Sequence, residues 1–177
     1  MNTKTLIKSI VVLSVICLVI SGALAVVNSF TAPIIEAAAI ERENASRQQV
    51  LPSAAEFEAL TADLPDNISG AYKGVDGSGN TVGYVFTAGN KGFDGTILVM
   101  TAIDTEGKIV AVSTLDVTSE TATLGGLTAK ESYTSMYPGK DASLDGVDVI
   151  SGATITSEAY EQCVLDAFAA YDAVKEG

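Results

Sequence analysis

Apolar residues recur along this chain in three rhythms, each of which predicts a different kind of element. Ser9 to Val27 (SIVVLSVICLVISGALAVV) is an apolar run without a charge. Nineteen such residues in a helix match the thickness of a bilayer core, so 9–27 is read as a transmembrane helix and 1–8 as a short N-terminal tail. From Pro33 to about Gln49 the pattern turns mixed and helix-favouring. Pro is tolerated at a helix start and Pro52 stops the run, while Ser53 to Leu60 suggests a second short helix. Together these make a helical juxtamembrane segment over 33–60.

From Ser69 onward the signals become those of strands. Ala71–Val75 and Val82–Ala88 flank Asp76-Gly77-Ser78-Gly79-Asn80, a hairpin loop rich in glycine. Thr96–Ile103 and Lys108–Leu115 flank Asp104-Thr105-Glu106-Gly107, a four-residue turn ending in Gly. Both faces of this second hairpin are largely apolar, which predicts central strands covered by helices. After Ser157 the rhythm changes again. Tyr160, Cys163, Val164, Ala167, Phe168, Tyr171 and Val174 keep the i, i+3, i+4, i+7 spacing of one helical face. Tyr160 and Tyr171 lie on that stripe and read as core. The fold class expected is α+β: one N-terminal transmembrane helix, then a domain over 69–177 with a largely antiparallel sheet packed by helices.

Charge sharpens the topology. Lys4 and Lys8 precede the span, and the flank after it is mixed in sign, which places the N-terminus in the cytoplasm and the body outside. A cleaved signal peptide is the competing reading, because Ala23-Leu24-Ala25 resembles a cleavage site. The length of the apolar run favours a retained anchor held by membrane lipid. Beyond the span the chain carries 8 Lys and Arg against 22 Asp and Glu. That balance argues against nucleic acid as a partner. The chain has no His, and Cys163 is the only cysteine beyond the span. Metal-ligand clusters, Ser-His-Asp and Cys-His catalysis and an intrachain disulfide of the body all lack their residues, so no catalytic or metal site is expected. Cys163 sits on the apolar helical stripe and reads as a small buried hydrophobe.

The chemistry concentrates in Asp148-Val149-Ile150-Ser151-Gly152-Ala153-Thr154, followed by Ile155-Thr156-Ser157-Glu158. Gly152 opens backbone angles closed to other residues, and Ala153 adds little bulk. The loop thus delivers the Thr154 hydroxyl to a helix N-terminus, where free N–H groups and a partial positive charge suit a phosphate. The bland alternative is an ordinary cap in which Ser and Thr satisfy the first turn.

The D-x-x-S-G-A-T string resembles the flavinylation motif of the FMN-binding domain family. That family is found in the C subunit of sodium-pumping NADH:quinone oxidoreductase and the G subunit of the Rnf complex. The resemblance implies FMN esterified through its phosphate to Thr154, with Ser151, Gly152, Ala153 and Asp148 in the attachment loop. Thr156 and Ser157 are expected to donate hydrogen bonds to the phosphate. Glu120, Thr121, Leu124 and Gly125 match the family's E-T-P-G-L-G loop, whereas Ala122 and Thr123 depart from its Pro and Gly. Glu120 is either an acceptor for the flavin or a solvated loop carboxylate. Gly92-Phe93-Asp94-Gly95, leading into a strand that ends Ala102-Ile103-Asp104, resembles a further family pattern. Lys91, Lys130 and Lys140 are the cations of the region. The absence of a larger insertion suits the Rnf subunit better than its longer relative.

The function implied is that of a cell-membrane electron relay in a ferredoxin:NAD oxidoreductase coupled to sodium or proton transport. Its partners would be the other Rnf subunits, and a flavin transferase during maturation. A stand-alone electron shuttle outside the cytoplasm is the related alternative. A non-redox adhesion or scaffold protein with an unmodified loop is the alternative of another class.

Overall fold

The computed structural model describes residues 3–61 and 64–176, so Met1 and Asn2 of the expected tail and Gly177 lie outside the described residues. The elements in chain order are α1 (Thr3–Val50), β1 (Glu56–Ala59), β2 (Ile68–Val75), β3 (Thr81–Lys91), β4 (Thr96–Asp104) and β5 (Ile109–Asp116). A 3-10 turn (Gly125–Ala129), α2 (Glu131–Thr134) and α3 (Thr154–Glu176) complete the chain. Residues 1–42 and 43–177 form two separate compact units.

The first unit is helical. It contains a segment of mean hydropathy 3.0, long and apolar enough to cross a membrane. Two helices were expected where one continuous helix is found, with Pro33 inside it. Proline removes one helical hydrogen bond. The residues that follow, IIEAAAIERE, are mostly good helix formers and carry the helix on. Ser29 and Thr31 hydroxyls donate to the Val26 and Val27 carbonyls just before the proline, at 2.8 and 3.1 Å.

In the second unit the sheet is an antiparallel meander in the order β1-β2-β3-β4-β5. The expected short helix over Ser53–Leu60 is instead β1. Its composition favours helix, but the open edge of β2 offers pairing along Glu56↔Val75 to Ala59↔Tyr72. Tertiary pairing overrides propensity here. A 2.8 Å ion pair between Lys73 and Glu58 lies across the same register.

Both hairpins form where the sequence places them. Asp76 and Asp104 brace their turns by accepting backbone N–H groups two and four residues on, and Gly107 takes φ +81. The sheet is buried on both faces. Phe86, Ala88, Ile97, Val99 and Ile103 face the stripe of α3, where Tyr160, Cys163, Val164 and Ala167 are fully buried. Val85, Met100 and Ala102 face Val50, Leu51 and Ala54. β4 is interior as expected, whereas β5 is the edge strand. It is nonetheless shielded, because Ile109 exchanges backbone hydrogen bonds with Gly139 and Lys140 at 2.7 and 2.8 Å. That capping lets an edge strand carry apolar residues on both faces.

Candidate functional site

Three segments converge at one end of the sheet: the loop joining β3 to β4, the loop after β5, and the start of α3. The last is shaped by its own sequence. Gly152 sits at φ +83, a conformation L side chains rarely adopt. Ala153 donates its N–H to the Ile150 carbonyl at 2.9 Å. The Ile150 N–H donates to the Ser157 hydroxyl oxygen at 3.0 Å, and the Ser157 N–H to the Ala153 carbonyl at 2.9 Å. These bonds fasten the loop to the first turn and leave Thr154 exposed as the first residue of α3. Ala153 and Thr156 point inward and are buried.

Glu120 is the centre of the arrangement. Its side chain is 8% exposed, so it is not a solvated loop carboxylate. One carboxylate oxygen accepts the Asp94 N–H at 3.0 Å and the other accepts the Thr156 hydroxyl at 2.7 Å. One side chain therefore ties together all three segments. Burial alone pushes its carboxyl up. The Thr156 hydroxyl and the N–H groups of Asp94, Gly95 and Phe93 outweigh that and hold it below the usual value. The glycines beside it are there for space. A Cβ on Gly92 would come within 2.6 Å of one Glu120 oxygen, and one on Gly125 within 2.5 Å of the other.

Between the three segments lies a half-open cavity of about 310 Å³. It brings together Glu120, Thr121, Leu124, Gly125, Gly152, Ala153, Thr154 and Thr156, all singled out by the sequence. Asp148 and Ser151 are exposed and do not line it. The hydroxyls of Thr156 and Ser157 are engaged within the protein. The single proton of Thr156 goes to Glu120, and Ser157 is fully buried. Neither was foreseen as a strut of the loops. Lys91 and Lys130 are exposed, Lys140 donates to the Asp145 carbonyl, and none of the three lines the cavity.

Phe93 and Ile155 also line the cavity, 69% and 52% exposed, and were not assigned to the site from sequence. The available signal was an aromatic residue flanked by Gly92 and by Asp94-Gly95, which has no core to enter. Beneath the start of α3, Tyr133, Tyr137 and Tyr160 pack with ring centroids 5.2 to 5.6 Å apart, and burial pushes all three hydroxyls up. Among the described residues no cluster of His, Cys, Asp or Glu is suited to a metal ion.

Residues 92–169 match the FMN-binding domain family, a span that takes in every residue lining the cavity. The G subunit of the ion-translocating oxidoreductase complex of Methanosarcina acetivorans is 32% identical over 169 residues, covering 89% of this chain and 90% of the relative. The G subunit of the Na(+)-translocating ferredoxin:NAD(+) oxidoreductase complex of Acetobacterium woodii is 31% identical, covering 88% and 86%. Among solved structures, Shewanella oneidensis NqrC has a TM-score of 0.50 at 20% identity, covering 67% of each chain, and supports the fold.

Proposed function

The chain belongs to the FMN-binding family of G subunits of ion-translocating oxidoreductase complexes. From that premise we propose that it carries FMN as a phosphoester on Thr154 and relays electrons within a membrane-bound ferredoxin:NAD oxidoreductase. The observation that supports this most is the exposed Thr154 hydroxyl beside a half-open cavity of about 310 Å³.

The residues present fit such a group. Leu124, Phe93 and Ile155 give the cavity apolar walls that suit a flavin ring. The first-turn N–H groups of α3 suit the phosphate of the ester. Gly152 at φ +83 shapes the turn before Thr154, whose exposed hydroxyl is the group a flavin transferase would have to reach. Its nearest neighbour there is the Leu124 side chain, 3.4 Å from where a Cβ would stand. Glu120 holds the walls in register. Bound FMN would supply reversible electron uptake, a chemistry that side chains of this set lack. The protein's part is to fix the group in place and limit its exposure. A tether prevents loss of the cofactor to the medium, as a domain outside the cytoplasm requires. The basic Lys4 and Lys8 on one side of the apolar run favour that orientation. The other subunits of the complex would deliver and accept the electrons and move the sodium or proton.

The test is the intact mass of the protein from its native membranes, with mapping of the peptide that holds Thr154. The expected result is one FMN phosphoester on that peptide, with the N-terminal apolar run retained. An unmodified mass from cells that possess a flavin transferase would overturn the proposal.

A further inference from the structure

Resting on the reading that FMN occupies this cavity, we propose that Glu120 sets the reduction potential. It would place a fixed negative charge in the wall, with no cation among the lining residues to offset it, and so hold the flavin at low potential as a strong electron donor.

The geometry carries the argument. The Glu120 side chain lines the cavity yet is only 8% exposed, so water screens its charge poorly. Its two oxygens accept from the Asp94 N–H and the Thr156 hydroxyl, donors that satisfy the ionised form. The same two bonds, one to each oxygen, hold the carboxylate in place, and Gly92 and Gly125 leave the space it occupies. Among the described residues no Lys or Arg lines the cavity. Reduction of a bound flavin would take up two electrons, supplied by the donor centre of the complex, together with one or two protons from water. With one proton the ring would gain a unit of negative charge, and with two it would stay neutral. A neighbouring fixed carboxylate disfavours the charged product, which makes electron uptake harder and electron release easier. The cavity is thus built with one charge and no counter-charge, which suits a relay that hands electrons on rather than storing them.

The experiment is a spectroelectrochemical titration of the flavin-loaded full chain in detergent, with the adduct verified by mass. Glu120→Gln removes the charge and should shift the midpoint potential upward. Thr121→Lys adds a cation at an exposed position of the wall without touching the Glu120 bonds, and should also shift it upward. Glu106→Gln, on the turn at the far end of β4 and about 25 Å along the strand, should leave it unchanged. Coincident midpoints for wild type, Glu120→Gln and Thr121→Lys would overturn the proposal. So would a Glu106→Gln shift as large as that of Glu120→Gln, since net charge alone would then be acting. Should Glu120→Gln disturb the loops, Thr156→Val, which removes a bond between the same loops and keeps the carboxylate, decides: an upward shift as large as that of Glu120→Gln would overturn the proposal. A wild-type chain without the adduct overturns both this inference and the reading it rests on.

Discussion

Thr156→Val is the sharpest test of the claim that one carboxylate holds three loops together. The substitution keeps the shape of a side chain that is 1% exposed and deletes only its hydroxyl. What is lost is the 2.7 Å bond to Glu120, while the Asp94 N–H remains in place. A hydrogen bond to a charged group contributes about 1.5–3 kcal/mol, and a buried carboxylate short of a donor retains its desolvation penalty. The expected destabilisation is therefore about 2 kcal/mol at pH 7. With a urea m value of about 2 kcal/mol/M, the unfolding midpoint of the detergent-solubilised chain should fall by about 1 M at unchanged m.

The pH dependence supplies a second, independent signature. The folded Glu120 carboxyl lies below its ordinary value of 4.5, so the unfolded chain binds more protons in that window. Its contribution to stability is complete above about pH 4.5 and disappears as pH falls through the folded value. Thr156→Val removes part of the depression, so the gap from wild type should close as pH drops. A midpoint change below about 0.2 M, or a gap that stays constant from pH 7 into the carboxylate range, refutes the reasoning.

Other outcomes follow from the same geometry. Gly125→Ala places a Cβ 2.5 Å from a Glu120 oxygen and 2.9 Å from the Thr156 hydroxyl oxygen. It should destabilise the domain by about 1–3 kcal/mol in the same urea assay. Gly152→Ala, at φ +83, should cost about 1–2 kcal/mol from backbone strain and, on the proposed function, lower the fraction of FMN adduct on Thr154 read by mass. Burial pushes the Cys163 thiol up to about 11, so a thiol reagent at pH 8 should leave it unlabelled in the folded chain and label it in urea, as peptide mapping would report.

Much of this fold was legible because its signals are strong and local. The apolar stripe from Tyr160 to Val174, the glycine and aspartate of each hairpin turn, and the charge-free run from Ser9 to Val27 all define an element without help from neighbours. The misses have physical causes. Pro33 marks a boundary only where the residues beyond it favour another structure, and here they favour helix. The segment from Ser53 to Leu60 has a helical composition but lies where β2 needs a partner, a fact of topology absent from local pattern. β5 reads as interior because its residues are apolar, yet it lies at an edge, where its first residue, Ile109, pairs with Gly139 and Lys140 some thirty residues away in sequence. In the site, motif spacing located Thr154 and the 120–125 loop. It did not reveal that the Thr156 hydroxyl donates to Glu120, since a contact across 36 residues leaves no periodicity. Phe93 stands in the Gly92–Gly95 stretch that resembles a family pattern, but its place in the wall emerges only once the three loops meet.

The strands lie side by side in the order in which they are made, but the cavity does not share that order. Its walls come from residues 93, 120, 121, 124, 125 and 152–156, the last of which enter with the final helix. A chain ending between residues 117 and 153 would hold all five strands of the sheet and lack Thr154. On the proposed function, yellow colour in a preparation would then mark molecules that reach the final helix. On the same reading a stalled or clipped population would stay colourless however well its strands had paired.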